Sequence, residues 1–155
     1  MKFHKTITLC FVVLISLFSC QKIDKIEPFT AFYVSSFNNV TYADTSLNYD
    51  FNLSNGGDFE LKLKFVGGTG VSGLDIYQRG LGDNGNYETI NVKDNFEIIL
   101  PENDAKTGII TVSGEIDYSL YQPGIQSDSD KYTFALYVYD KVGSSRIVTI
   151  KFVKP

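Results

Sequence analysis

The chain has no tryptophan, one histidine, two cysteines, one methionine and four prolines in 155 residues. What it does have of histidine and cysteine is confined to its first twenty residues: His4, Cys10 and Cys20. Beyond Cys20 there is neither an imidazole nor a thiol. That excludes a Ser-His-Asp triad, a Cys-His pair, and a zinc site built on thiolate or imidazole. It also excludes a disulfide within that part of the chain. No Ser-x-x-Lys sequence occurs after residue 22, so that nucleophile set is missing too. For catalysis the remaining route is a pair of carboxylates, the glycosidase pattern. Clustered basic residues are lacking as well, and the net charge is −4. A mildly acidic chain with no basic stripe is not built to bind nucleic acid.

Long apolar runs are equally scarce, with one exception at the start. Lys2 and Lys5 precede an apolar stretch from Ile7 to Phe18, which is followed at once by Ser19 and Cys20. A basic start, a short apolar middle and a small residue at the end form the layout of a secretory signal. The run falls short of the roughly 20 apolar residues a spanning helix needs. Leu17-Phe18-Ser19-Cys20 resembles the lipobox of bacterial lipoproteins, with Phe18 departing from the small residue usual before Ser19. The resemblance implies cleavage before Cys20, acylation of Cys20, and anchoring to a membrane through more than one acyl chain. Single chains hold proteins only marginally. Gln21 stands where an aspartate marks inner-membrane retention in some lipoproteins, so the implied location is the outer membrane. Residues 1–19 are then the signal, 20–28 a charged, proline-containing tether, and 29–155 the domain. Loss of Lys2 and Lys5 with the signal leaves 12 basic against 18 acidic residues.

The domain has the size of a single core-forming unit. Its pattern has a period of two. Leu47, Tyr49, Phe51 and Leu53 alternate with polar residues. After Asn55-Gly56-Gly57-Asp58, so do Phe59, Leu61, Leu63 and Phe65. Such alternation means strands with one buried face, and the turn between these two predicts a hairpin. Further strands are expected at Phe29–Val34, Leu74–Arg79, Tyr87–Val92, Phe96–Leu100, Gly108–Ser113, Tyr132–Tyr139 and Arg146–Val153. No helical period follows the signal. The expected fold is all-β: an antiparallel sandwich of seven to nine strands.

One stretch narrows the topology. In Asp130-Lys131-Tyr132-Thr133-Phe134 a tyrosine stands near the start of a strand, two residues before an inward position. This resembles the tyrosine corner of immunoglobulin-like domains, with Phe134 in place of the disulfide cysteine. The following turn, Asp140-Lys141-Val142-Gly143, and the return through Ile147 to Val153 resemble the closing F–G hairpin of bacterial immunoglobulin-like, PKD-like and cadherin-like sandwiches. A jelly roll or another Greek-key sandwich stays open.

Three motifs need weighing. Gly68-Thr69-Gly70-Val71-Ser72-Gly73 has dinucleotide-fingerprint spacing, but a strand rather than a helix is expected after the glycines, so a loop is the reading. Asp83-Asn84-Gly85-Asn86 reads as a hairpin turn. Asp128 and Asp130 are weak calcium candidates on a loop; no other cofactor is expected. The distinctive resource is tyrosine, with 10 residues. Alternation points Tyr137 and Tyr139 outward if Phe134, Leu136 and Val138 point inward, and Tyr77 outward if Leu74 and Ile76 point inward. In an immunoglobulin-like sandwich these strands are neighbours. Tyr77, Tyr137 and Tyr139 would then form an exposed strip, flanked by Ile147 and Thr149, on a face without charge. Such strips bind sugars and proteins, and tyrosine is also simply a strong strand former. The expected function is a non-catalytic binding or adhesion module for a glycan or an envelope protein. The alternatives are a carboxylate-dependent glycan hydrolase and a structural subunit of a surface assembly.

Overall fold

The structure is a computed structural model, which describes residues 28–53, 57–81, 87–102, 105–116 and 131–153. The lipobox with Cys20, the Asp83–Asn86 turn, and Asp128 and Asp130 lie outside the described residues.

Among the described residues, alternating apolar and polar residues give ten strands: β1 (Phe29–Phe37), β2 (Val40–Thr41), β3 (Asn48–Asn52), β4 (Gly57–Gly67), β5 (Val71–Leu81), β6 (Tyr87–Asn91), β7 (Glu97–Ile99), β8 (Thr107–Ile116), β9 (Lys131–Asp140) and β10 (Ser145–Val153). One 3-10 turn, Lys93–Asn95, separates β6 from β7. The strands form two five-stranded sheets, β2-β1-β4-β8-β7 and β3-β10-β9-β5-β6. With β1, β4, β8 and β7 as strands A, B, E and D, the first sheet has the immunoglobulin order A-B-E-D. In the second, β10, β9, β5 and β6 give G-F-C-C′. The chain is an all-β, immunoglobulin-like sandwich.

Inward side chains of both sheets meet in one core. Phe29, Phe51, Phe65, Phe134 and Phe152 are buried almost completely, with Leu61, Leu63, Ile110 and Leu136 among them. Phe152 lies at the centre of a phenylalanine cluster. Its ring centroid is 6.0 Å from that of Phe37, 6.3 Å from Phe51, 5.3 Å from Phe59 and 5.5 Å from Phe134. Tyr132, at the start of β9, is buried at 3% exposure, and Phe134 two residues on is buried at 1%. Both face the core, as the sequence predicts for the start of this strand; the corner before it lies outside the described residues.

Two expectations about the strands are corrected. β3 and β4 do not form a hairpin. β3 runs parallel to β10, with Phe51 opposite Phe152, whereas β4 lies between β1 and β8 in the other sheet. Both edges of β4 are taken. The aromatic face of β3 is buried instead across the core, where Phe51 stacks on Phe37 at 4.1 Å and 9°. The sheet is therefore not wholly antiparallel. The strand count exceeds nine because of the two-residue β2, which returns on the end of β1 after Asn38 and Asn39. Both of these residues have positive φ. Asn is among the few non-glycine residues that adopt that conformation readily.

Immediately after Gly67, Gly68 and Gly70, all at positive φ, comes strand β5. The glycines turn the chain between sheets. They do not open a helix, so the segment offers no phosphate site of the dinucleotide kind. The β5–β6 and β9–β10 hairpins form as expected.

Candidate functional site

On β5, Leu74 and Ile76 face the core; on β9, Phe134, Leu136 and Val138 do. Alternation then sends Tyr77, Tyr137 and Tyr139 to the outer face of the same sheet. The two strands are antiparallel neighbours, with Asp75 opposite Tyr137 and Tyr77 opposite Ala135. The three tyrosines meet as expected. Tyr77 and Tyr137 pack edge to face at 5.5 Å and 88°, and Tyr137 and Tyr139 lie nearly parallel at 6.5 Å and 15°. All three are half-buried. Ala135 faces outward between them yet has no exposed surface, so neighbouring side chains lie over it. Ile147 is the register partner of Tyr137 on β10, and Thr149 that of Ala135, which completes the flank foreseen from the sequence.

The end of β9 is held firmly. The Asp140 carboxylate Oδ1 accepts the amides of Val142 (3.1 Å) and Ser144 (2.7 Å) and closes the turn to β10. The Ser72 hydroxyl donates to the carbonyls of Tyr139 (3.2 Å) and Asp140 (2.8 Å), at an irregularity in the β5–β9 register between Val71 and Gly73. Gly73 is the register partner of Tyr139, and a side chain added there would meet nothing within 4 Å. The platform is therefore open beside Tyr139.

The face is not free of charge. Asp75 shares it with Tyr77, because both alternate with Ile76, and it stands among all three rings. The Tyr139 hydroxyl hydrogen-bonds its carboxylate. Burial foremost, then the negative charge of Asp75, hold the Tyr139 hydroxyl above its ordinary pKa, so it stays protonated and donating. Lys93 completes the group. The Val92 amide donates to the Ile76 carbonyl (2.9 Å), and the Lys93 amide to the Asn91 side-chain oxygen (3.0 Å). The 3-10 turn that follows brings Lys93 Nζ within 3.5 Å of Asp75 Oδ1. Sequence reading missed both residues. Strand alternation was signal enough for Asp75, but nothing in the sequence marks Lys93, which reaches the face from a turn.

Elsewhere on this face Asp50 pairs with Lys131 at 2.8 Å. Three strand spacings, roughly 14 Å, separate β3 from β5, and Asp50 (level with Lys151) lies four residues along the strands from Asp75 (level with Ile147), so the two carboxylates stand more than about 14 Å apart. That is too wide for either glycosidase geometry. On the other sheet Asp58 and Glu115 are register partners, so their Cβ atoms stand about 5 Å apart. Both are exposed and stand side by side on one sheet face rather than across a groove. A cleft of about 290 Å³ lies beside β1, lined by Thr30 to Tyr33, Thr45, Leu47 and Arg146. Its arginine is engaged in fastening β1, donating to the Phe29 carbonyl from Nε (3.2 Å) and Nη2 (3.0 Å).

No family model matches the chain, and no curated protein matches it. Among solved structures it is similar to a crystal structure of a mutant SrpA adhesin from Streptococcus sanguinis, at 13% sequence identity and a TM-score of 0.45. That match covers 83% of this chain and 58% of the other.

Proposed function

We propose that this protein is a non-catalytic binding module, held to the outer membrane by lipid on Cys20, that takes a glycan or an envelope protein on the outer face of β5 and β9. The observation that carries the reading is the joined platform of Tyr77, Tyr137 and Tyr139, open at Gly73 and centred on Asp75. Rigid rings with a hydrogen-bonding rim supply contact area at low entropic cost. The separation of Asp50 and Asp75, and the side-by-side placement of Asp58 and Glu115, favour recognition over hydrolysis.

The test is retention by isolated cell-envelope fractions of the purified, unacylated chain carrying Cys20→Ala, so that lipid contributes nothing to retention. Changing Tyr77, Tyr137 and Tyr139 together to Ser is expected to lower that retention at least tenfold, as loss of a hot-spot cluster does, while the β-sheet spectrum and cooperative unfolding persist. Normal retention by a folded triple variant would place the site elsewhere.

The anchor is tested separately. Replacing Cys20 with Ala is expected to abolish lipid attachment, so that the protein no longer partitions with detergent-solubilised membranes. A mature N-terminus at any residue other than Cys20, read by mass spectrometry, would overturn the anchor and leave the binding face untouched.

A further inference from the structure

The composition of the platform specifies more than an aromatic surface. Asp75 is surrounded on three sides: by Tyr77 two residues along β5, by Tyr137 directly opposite, and by Tyr139 diagonally across. The fourth side is Gly73, which contributes no side chain. Two of the rings stand at 88° to one another, as adjacent walls of a cage do. The Asp75 side chain keeps 30% of its surface exposed, so its carboxylate is reachable from solvent. A cation is already at its edge. Lys93 Nζ lies 3.5 Å from Asp75 Oδ1, at the long end for an ion pair, on a side chain that is 43% exposed.

We propose that Asp75, Tyr77, Tyr137 and Tyr139 form a site for an ammonium group on the ligand, a quaternary or primary amine, with Lys93 as its resident competitor. This rests on the tyrosine face being the binding surface. The chemistry follows from the parts. Tyrosine faces carry negative quadrupole potential and attract alkylammonium groups. A carboxylate among them adds a full opposite charge where the rings hold some water away. A neutral sugar stacks on the rings and donates a hydroxyl to the carboxylate, but it gains no charge attraction from it. An incoming ammonium gains both terms and needs only to displace a loosely held lysine. The apolar strip is also narrow: the rest of the face carries Asn48, Asp50, Lys131 and Lys151. A small charged group fits that strip better than the broad apolar centre of a stable protein interface.

The test uses the full chain and choline as the probe, with two comparison solutes. One is the uncharged carbon isostere of choline, in which a quaternary carbon replaces the nitrogen; the other is sodium chloride at equal ionic strength. Because the chain has no tryptophan, its 10 tyrosines emit unmasked, and the part of the response that the triple tyrosine variant loses reports the site. The expected result is a saturable response to choline only. Lys93→Ala should tighten it by about threefold or more, and Asp75→Asn should weaken it by roughly tenfold or more. Equal responses to choline and its isostere would overturn the assignment. So would an unchanged choline affinity in folded Asp75→Asn, or no saturable response in both the wild type and Lys93→Ala. If Asp75→Asn does not fold, Lys93→Ala decides alone. If choline fails while the triple tyrosine variant still loses envelope retention, the binding face stands and the ammonium assignment falls. Choline binding beside unchanged retention by the triple variant would leave the ammonium site in place and remove its link to the proposed function.

Discussion

Replacing Phe152 with Ala is expected to cost about 3–5 kcal/mol, the range for deleting a large buried aromatic side chain. Against a total of roughly 5–15 kcal/mol for a domain, that leaves the fold marginal or lost. The reason lies in where the ring sits. Phe152 is 1% exposed and touches Phe37 of β1, Phe51 of β3, Phe59 of β4 and Phe134 of β9. It therefore joins both sheets, and it opposes Phe51 in the only parallel pairing among the described strands. Neighbouring rings are stiff and cannot collapse into the space that alanine leaves. Urea unfolding followed by circular dichroism reads the change. Phe152→Leu, which keeps most of the volume, is expected to lose distinctly less. A loss below about 1 kcal/mol for the alanine variant would mean that the two sheets are not held together at this point.

Gly67→Ala is expected to cost about 3 kcal/mol or more, for a backbone reason. Gly67 has φ +85°, and a Cβ there would lie 2.7 Å from the Pro28 carbonyl oxygen and 3.0 Å from the Thr30 amide nitrogen. Left-handed backbone alone penalises an L side chain by roughly 1–2 kcal/mol. The clash adds to that because the obstructing atoms are main chain and cannot swing aside. Something must shift, and the start of β1 is the movable part. The expected outcome is lost stability together with faster amide exchange at Phe29 to Ala31. Gly143 provides the contrast. It too has positive φ (+86°), but a Cβ there meets nothing within 4 Å, so Gly143→Ala should show the conformational cost alone. Equal losses at the two glycines would remove the close approach of Pro28 from the explanation.

How much of this was legible in the sequence depends on the kind of information alternation carries. A period of two tells which face of a strand is buried. It placed Tyr77, Tyr137 and Tyr139 outward and Phe134, Leu136 and Val138 inward without any structure. It does not tell which strand lies alongside. Leu47 to Leu53 and Phe59 to Phe65 read as two arms of a hairpin because a glycine-rich turn joins them. The same turn residues serve equally well to carry a chain from one sheet to the other, and packing of Phe51 on Phe37 decides for the second. The burial of Tyr132 and Phe134 at the start of β9 was legible from the same period of two, while the corner that precedes them lies outside the described residues. Asp75 was overlooked while its strand-mates were read as an uncharged face, although the same alternation that exposed Tyr77 exposed it. Lys93 could not be found in that way: its place beside Asp75 depends on a three-residue turn held by Asn91 and Val92.

The ring signals of the tyrosines themselves test the binding face most directly. The unacylated full chain carrying Cys20→Ala, isotopically labelled on tyrosine, is observed by NMR with and without a soluble extract of the envelope fraction that retains it. The account predicts that Tyr77, Tyr137 and Tyr139 shift or broaden together, while Tyr33 on β1 of the opposite sheet and Tyr42 between β2 and β3 stay unchanged. Perturbation of Tyr33 or Tyr42 with Tyr77, Tyr137 and Tyr139 silent would contradict it and move the site to the cleft beside β1.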